Sequence, residues 1–275
     1  MQLKEKKRQA SFATRIVTRI WDEQPCADNP YLADRCRCHG YDMLELLKKK
    51  SYIEILYLLF MGELPTPAQS ELLESLFIAF INPGPRHPAT RTAMNAGVGK
   101  TYSHNILPIS IAILGGGHLG GEEVTGAMYF LRKNQQTEPN NTLVDILAEA
   151  ECPDEGDWHI VPGFGNRFNG IDPMPGKIAN KLLSLPGSGK AIAWGNKFAS
   201  VLKPHGMGWL STGVVAAVLC DLGFHPRAGA GLFQLLSGPG LLAHGLELAN
   251  KPITAMPFPD GTHYVISEKA KTRKK

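Results

Sequence analysis

The sequence lacks any uninterrupted apolar run that could span a membrane. Such a span requires roughly 18 consecutive apolar residues. Hydrophobic residues make up 43% of the 275 positions, but charged residues, glycines and prolines divide them into shorter segments. The N-terminal segment is basic and has no apolar core of the kind that a secretion signal contains. These absences predict a cytoplasmic protein without membrane spans.

The sequence also has few features of a disulfide scaffold, a zinc site or a nucleic-acid-binding protein. Five cysteines are an odd number, which predicts reduced thiols when no secretion signal precedes them. Residues 36–39, Cys-Arg-Cys-His, contain three potential ligands, but no second ligand pair follows at zinc spacing. We therefore predict no metal. The formal net charge of +4 lies largely in the two tails, and no aromatic residues are interleaved with basic ones, so we predict no nucleic-acid binding.

No stretch shows the apolar–polar alternation of a half-buried strand, and we predict an all-α fold. Apolar residues recur at helical spacing in 52–61, where Ser51 can cap the helix and Gly62 can end it. The last helical stretch should be interrupted at residues 238–240, Gly-Pro-Gly, because proline lacks an N–H group. Other helices are expected at 68–81, 89–114 (as a pair), 122–133, 142–151, 177–185, 189–202, 207–222 and 228–249.

A glycine-rich loop around one histidine is the most distinctive segment. Residues 115–121 read Gly-Gly-Gly-His-Leu-Gly-Gly and precede Glu122 and Glu123, which suit the first turn of a helix. The loop can bring bare main chain against a ligand and present His118 beside a helix N-terminus, where an oxyanion could be held. A plain turn between two packed helices is the alternative interpretation. A phosphate loop is not expected, because no Lys-Ser or Lys-Thr follows the glycines.

A second candidate segment is the long loop at 162–176. It contains four glycines and three prolines, and long loops in compact domains are usually functional. The alternative interpretation of Asn166 and Arg167, which lie in this loop, is that they are two solvated loop residues. Three other histidines are interpreted as structural or surface residues: His104, His159 and His244.

Four separated stretches carry a resemblance to a known family. They are residues 40–66 (GYDMLELLKKKSYIEILYLLFMGELPT), 118–121 (HLGG), 163–167 (GFGNR, followed by Asp172-Pro173) and 257–264 (PFPDGTHY). In this order and spacing they resemble the citrate synthase superfamily, with its GY…EL…YLL…GELP opening, His-Gly-Gly signature and GFGHR…DPR motif. The last stretch is similar to the short P-W-D-D-x-x-Y tail of the citryl-CoA lyase branch.

The resemblance implies an all-α, citrate synthase-like fold with a large and a small helical domain and an active site in the cleft between them. On this basis residues 1–39 are an N-terminal segment and 40–160 the first part of the large domain. Residues 161–225 are the small domain with a CoA-binding loop, and 226–275 the C-terminal helix and tail of the large domain. A homodimer or tetramer is implied as well, and the apolar stretches 106–114 and 213–220 are candidates for its interface.

The family makes or breaks a carbon–carbon bond between the methyl group of an acetyl-CoA thioester and an α-keto acid such as oxaloacetate. The resemblance assigns His118 to the enolate oxygen, and places Asn166 and Arg167 at the keto acid. It assigns His87, Arg91 and Gly117 to substrate binding. The loop that folds around the CoA adenine corresponds to Val161, Pro162, Gly163, Phe164 and Gly165.

Several positions depart from the family pattern. Asn166 stands at the keto-acid histidine, Thr212 at the catalytic aspartate and Ser237 at a carboxylate-binding arginine, while Met174 replaces the arginine of DPR. Neither an asparagine nor a threonine can transfer a proton near neutral pH, and loss of such a group commonly costs about 100- to 10,000-fold in rate.

Two hypotheses follow from these departures. The first is an enzyme with an altered active site whose base is another carboxylate, namely Glu122, Asp172 or Asp221. The second is an inactive pseudoenzyme that binds CoA or a metabolite, or that serves as the partner subunit of an active paralogue.

Overall fold

The computed structural model describes residues 12–266 and is mostly helical, as predicted. No helix in this part of the chain has both the length and the apolar character needed to cross a membrane. The eleven α-helices of the described residues are α1 Met43–Lys49, α2 Tyr52–Met61, α3 Pro67–Phe80, α4 Pro88–Val98, α5 Ser103–Leu114, α6 Gly121–Asn134, α7 Pro139–Glu149, α8 Pro173–Leu183, α9 Lys190–Leu202, α10 Ser211–Asp221 and α11 Gly229–Ala249.

Residues 12–266 contain five short β-strands that the sequence did not predict. They are β1 Trp21–Pro25, β2 Ala33–Cys38 and β3 Tyr41–Asp42, which form an antiparallel sheet in that order, and β4 Phe164–Gly165, which pairs with β5 Gly208–Trp209. Every residue of β1 is exposed, so the strand has no buried face to create an alternating pattern. Strands β4 and β5 have two residues each, which is too short for any periodicity.

The chain divides into two compact units after Ser70. The first contains the three-stranded sheet and helices α1 and α2, with a small core made of Cys38, Leu46 and Leu58. Helix α2 has the predicted bounds, because Ser51 and Glu54 form a reciprocal capping box and Gly62 ends the helix at φ +79°.

The second unit is built around helix α10, whose residues 212–219 are buried on all sides. A helix that is enclosed in this way needs no polar face, which explains its continuous apolar sequence. An aromatic cluster joins α6 and α9 to β4 and β5, with ring centroids 4.3–6.1 Å apart, and consists of Phe130, Phe164, Trp194, Phe198 and Trp209.

Helix α11 is continuous through Pro239, so the predicted interruption at 238–240 is wrong. The N–H of Gly240 donates to the carbonyl oxygen of Ile81 at 3.0 Å. Gly240 also lies so close to Asn82 that a Cβ would be 2.6 Å from the Cα of that residue. A contact made with a segment distant in sequence therefore supports the helix at the position where local rules expect it to end.

Helices α4 and α11 pack with their backbones in direct contact. A Cβ on Gly97 would overlap the carbonyl oxygen of Gly245, and a Cβ on Gly245 would lie only 3.0 Å from the carbonyl oxygen of Ala93 on α4. Glycine is therefore required at both positions by the separation of the helices and not by backbone conformation.

We expect Gly97→Ala to destabilise the protein by about 1–3 kcal/mol, because the added methyl group forces the two helices apart. Gly231→Ala is the matched control. Gly231 lies in α11, where an added Cβ would meet no other described part of the protein within 4 Å, so this change should be neutral or stabilise by up to about 1 kcal/mol. Urea unfolding monitored by circular dichroism measures both, and equal stabilities for the two variants would contradict the close packing.

Candidate functional site

The glycine-rich loop forms a tight turn between α5 and α6. Leu119 adopts a positive φ of 54°, and its side chain is buried while the preceding His118 is exposed. A Cβ on Gly120 would overlap the carbonyl oxygen of Gly116. The glycines are therefore needed for the close turn, which points His118 outward and Leu119 inward.

A buried carboxylate, Glu123, connects this loop to the second candidate loop. It is only 6% exposed. One carboxylate oxygen accepts the N–H of Leu119 at 2.8 Å. The other accepts the N–H of Gly163 at 3.3 Å and lies 2.7 Å from Nδ1 of His159. These donors compensate for the loss of water around the carboxylate, which would otherwise be costly to bury.

Glu123 was not identified from the sequence. Both glutamates at the start of α6 suit its first turn, and Glu122 is exposed whereas Glu123 is buried. The difference depends on the loop that contains Gly163, forty positions further along the chain. No local signal distinguishes the two residues.

His87 holds the backbone on the other side of Leu119, at its carbonyl group. It is the N-cap of α4, and its Nδ1 accepts the N–H of Ala89 at 3.1 Å. Nε2 must then carry the proton of the neutral ring, and it donates to the carbonyl oxygen of Leu119 at 3.1 Å. Burial lowers the pKa of His87, and the nearby charges of Arg167 and His118 lower it further, against the hydrogen bond to Leu119. The ring is therefore a neutral donor.

A cavity of about 290 Å³ lies beside these residues. Its polar lining includes His87, Arg167 and Asp172, and the two charged side chains lie 3.7 Å apart. The guanidinium of Arg167 also packs on the ring of Phe168. Its buried Nε–H has no hydrogen-bond acceptor among the described residues. A buried donor without a partner is unfavourable, so Arg167 is well placed to bind an anionic group in the cavity.

The predicted CoA loop is a tight turn on the aromatic cluster. The N–H of Phe164 donates to the carbonyl oxygen of Val161 at 3.0 Å, across Pro162 and Gly163. Gly163 has φ +84°, which fits the proline–glycine pair of a type II turn. Phe164 and Gly165 are buried in the β4–β5 pair, and Val161 and Pro162 retain accessible surface.

The three residues predicted to bind substrate, His87, Arg91 and Gly117, lie in different places. His87 and Arg167 line the same cavity, whereas Arg91 is exposed on α4 and is not part of the lining. Gly117 lines a shallow depression next to Glu123 and His159.

Of the four substituted positions, Ser237 and Met174 line the cavity, whereas Asn166 and Thr212 do not. Asn166 forms two hydrogen bonds with the backbone of Trp158, through its amide oxygen at 2.8 Å and its backbone N–H at 3.0 Å. Ser237 donates to the carbonyl oxygen of Phe80 at 2.9 Å. The hydroxyl of Thr212 is fully buried and has no hydrogen-bond partner among the described residues.

The three alternative carboxylates differ in position. Asp221 accepts the backbone N–H groups of residues 189, 191 and 192 at the start of α9. Burial raises the pKa of Asp221, and these hydrogen bonds oppose the increase. Its role is structural. Asp172 caps α8 and lines the cavity, and Glu122 lies outside it.

The sequence matches no protein-family model and no curated protein, but the fold is similar to solved structures. Citryl-CoA lyase from Hydrogenobacter thermophilus matches with a TM-score of 0.74 at 21% identity, over 94% of this chain and 97% of that chain. Citrate synthase from Thermotoga maritima MSB8 matches with a TM-score of 0.61 at 18% identity, over 83% and 62%. ATP citrate lyase from Methanothrix soehngenii, solved in complex with citrate and coenzyme A, matches with a TM-score of 0.69 at 14% identity, over 94% of this chain and 44% of that chain. The chain thus has the citrate synthase-like fold that its sequence implied.

We expect Glu123→Gln to destabilise the protein by about 1.5–3 kcal/mol, because a glutamine amide cannot accept hydrogen bonds at both ends. Glu122→Gln is the neighbouring control and should cost less than about 1 kcal/mol, the usual value for a carboxylate near a helix N-terminus. Chemical denaturation measures both variants. Similar losses for the two glutamates would show that Glu123 does not hold the loops together.

Proposed function

We propose that this protein is an enzyme of the citrate synthase or citryl-CoA lyase type, which makes or breaks a carbon–carbon bond between an acyl-CoA and an α-keto acid. The observation that carries the proposal is the cavity beside Arg167, whose buried Nε–H has no acceptor within residues 12–266, in a citrate synthase-like fold. Because a similar solved structure holds citrate and coenzyme A, a carboxylate of an oxaloacetate-like acid is the proposed ligand of Arg167.

On the keto-acid side, Arg167 binds the carboxylate through charge-assisted hydrogen bonds. The neutral ring of His87 forms part of the wall, with its Nε2 proton already donated to Leu119. Among the three carboxylates considered from the sequence, Asp172 lines this cavity. We therefore propose Asp172 as the group that replaces the missing aspartate as the base.

On the CoA side, the turn from Val161 to Gly165 binds the thioester substrate, and His118 holds its carbonyl oxygen. Enolisation needs both a base near the methyl group and a donor at that oxygen. His118 is exposed on its loop, so a bound substrate can reach its ring.

A CoA- or metabolite-binding protein without turnover is the second candidate. It is favoured by the burial of Thr212 and by the hydrogen bond of Asn166. The Thr212 hydroxyl is fully buried and the Asn166 amide oxygen is bonded to Trp158, so neither side chain is available for proton transfer. Such a protein could also act as the partner subunit of an active paralogue.

We further propose a homodimer or tetramer in which helix α5 contributes to the interface. Of the two apolar stretches named from the sequence, 213–220 lies almost entirely in the core. The other stretch, 106–114, lies in α5, where the side chains of Ile109 and Ile113 are 43% and 48% exposed. Exposed apolar groups on one helix face favour association with another copy.

Replacing Arg167 with glutamine should weaken the binding of oxaloacetate or citrate about 10- to 100-fold, because a charge-assisted hydrogen bond is worth about 1.5–3 kcal/mol. Arg91→Gln is the control, since Arg91 is an exposed arginine outside the cavity. Isothermal titration measures both. Equal affinities for the two variants would contradict the carboxylate site.

A matched set of assays separates the two candidate functions. For the enzyme, we expect CoA to raise the melting temperature and citryl-CoA cleavage or citrate formation to be detectable and lost in Arg167→Gln. Binding of CoA without turnover would support the pseudoenzyme, and the absence of any CoA binding at millimolar concentration would contradict both.

For the assembly, we expect light scattering to give a dimer or a larger species at micromolar concentration. Ile109→Lys combined with Ile113→Lys should shift the protein towards the monomer, since it places two charges in the proposed interface. Val144→Lys, on an exposed position of α7, should leave the assembly unchanged. A monomeric wild-type protein would refute the proposal.

A further inference from the structure

Three potential metal ligands converge where the glycine-rich loop meets the segment before β4. His118, Asp157 and His159 each bring one ligand atom to within 4.8 Å of the other two. From the sequence alone we predict no metal and a structural or surface role for His159. His118 lies 39 and 41 positions before Asp157 and His159, so the sequence did not show that the three residues belong together.

His159 is held in the orientation that a metal ligand requires. Nδ1 lies 2.7 Å from a carboxylate oxygen of Glu123. In the neutral ring Nδ1–H donates to that oxygen, and the lone pair is on Nε2. Nε2 is buried and finds no hydrogen-bond partner among the described residues. A carboxylate that fixes the tautomer of a histidine through its second nitrogen is the usual arrangement behind metal-binding histidines.

The other two ligands are placed so that they can close around an ion. One oxygen of Asp157 accepts the N–H of Phe168 at 2.6 Å, which holds the side chain and leaves the second oxygen available. The ring of His118 stacks on that of His159, with centroids 4.9 Å apart and planes inclined by 16°. Since His118 is exposed and follows three glycines, its ring can turn towards a shared ion.

We propose that His118, Asp157 and His159 bind a divalent transition-metal ion, for which zinc is the best match. Two imidazoles and one carboxylate are ligands that zinc accepts, at distances of about 2.0–2.2 Å. A tetrahedral ion with such bonds has ligand atoms roughly 3.3 Å apart, so atoms that lie within 4.8 Å of one another need only a small adjustment.

Three protein ligands leave a fourth position open, which is typical of catalytic and not of structural zinc sites. His159 lines the shallow depression that also includes Gly117 and Pro162, so the open position would be accessible. The metal site itself goes beyond the proposed function and does not depend on it. If the proposed function also holds, the ion would lie where His118 is assigned to the thioester oxygen, and it could polarise that oxygen in place of the imidazole.

Zinc binding by the full chain tests the proposal directly. After treatment with a chelator and dialysis, the wild-type protein should bind one zinc ion per chain in isothermal titration, and zinc should raise its melting temperature. Asp157→Asn and His118→Ala should each weaken binding at least 10-fold. Both variants are expected to fold, because the asparagine oxygen can still accept the Phe168 N–H and His118 is exposed. His205→Ala, at another exposed histidine, is the control and should bind zinc as the wild type does.

Glu123 serves as a positioning residue, and Glu123→Gln should weaken zinc binding about 10- to 100-fold. Substitution with Co²⁺ provides a spectroscopic readout, since loss of a ligand changes the visible absorption of the bound ion whereas a purely structural effect leaves that spectrum unchanged.

If Glu123→Gln does not fold, the Asp157 and His118 variants decide the question. The proposal is overturned if the wild type binds no zinc, or if Asp157→Asn and His118→Ala bind it as tightly as the wild type. No CoA or keto acid enters these measurements, so their outcome is separate from that of the proposed enzyme activity.

Discussion

The geometry of the site depends on one residue, Leu119, whose backbone is held on both sides by buried groups. Glu123 accepts its N–H, and the neutral ring of His87 donates to its carbonyl oxygen. Leu119 has a positive φ, a conformation that non-glycine residues adopt only when their surroundings enforce it. Because the backbone of Leu119 is fixed, His118 is directed outward and the Leu119 side chain forms part of the cavity wall.

Glu123 also joins this loop to the segments that carry the other candidate residues. Its bonds to Gly163 and His159 link the two loops, and Arg167 follows a few positions after Gly163. The family resemblance places proton transfer at Asn166 and Thr212, but here those side chains are bonded to Trp158 or buried in the core. The polar groups of the cavity and of the histidine cluster come from other positions, which is why the proposed chemistry rests on Arg167, Asp172 and His118.

Much of the helical fold was predictable because its signals are local. Ser51 with Glu54, and Gly62 after them, mark α2 through groups that lie within one turn of its ends. The exposed strand β1 has no such signal, since neither of its faces is buried. The continuity of α11 through Pro239 was missed because Ile81, which accepts the N–H of Gly240, is far away in sequence.

The sequence by itself determined the all-α class, the bounds of α2 and the tight glycine loop around His118, because capping groups and glycines act within a few residues. It also supplied the resemblance that led to Arg167 and His87. Only the tertiary structure decided that Glu123 and not Glu122 is the buried carboxylate, and that His159 and Asp157 lie beside His118. Capping and helix-dipole preferences do not distinguish two adjacent glutamates in the first turn of a helix. Only the packing of segments distant in sequence buries one of them and leaves the other exposed.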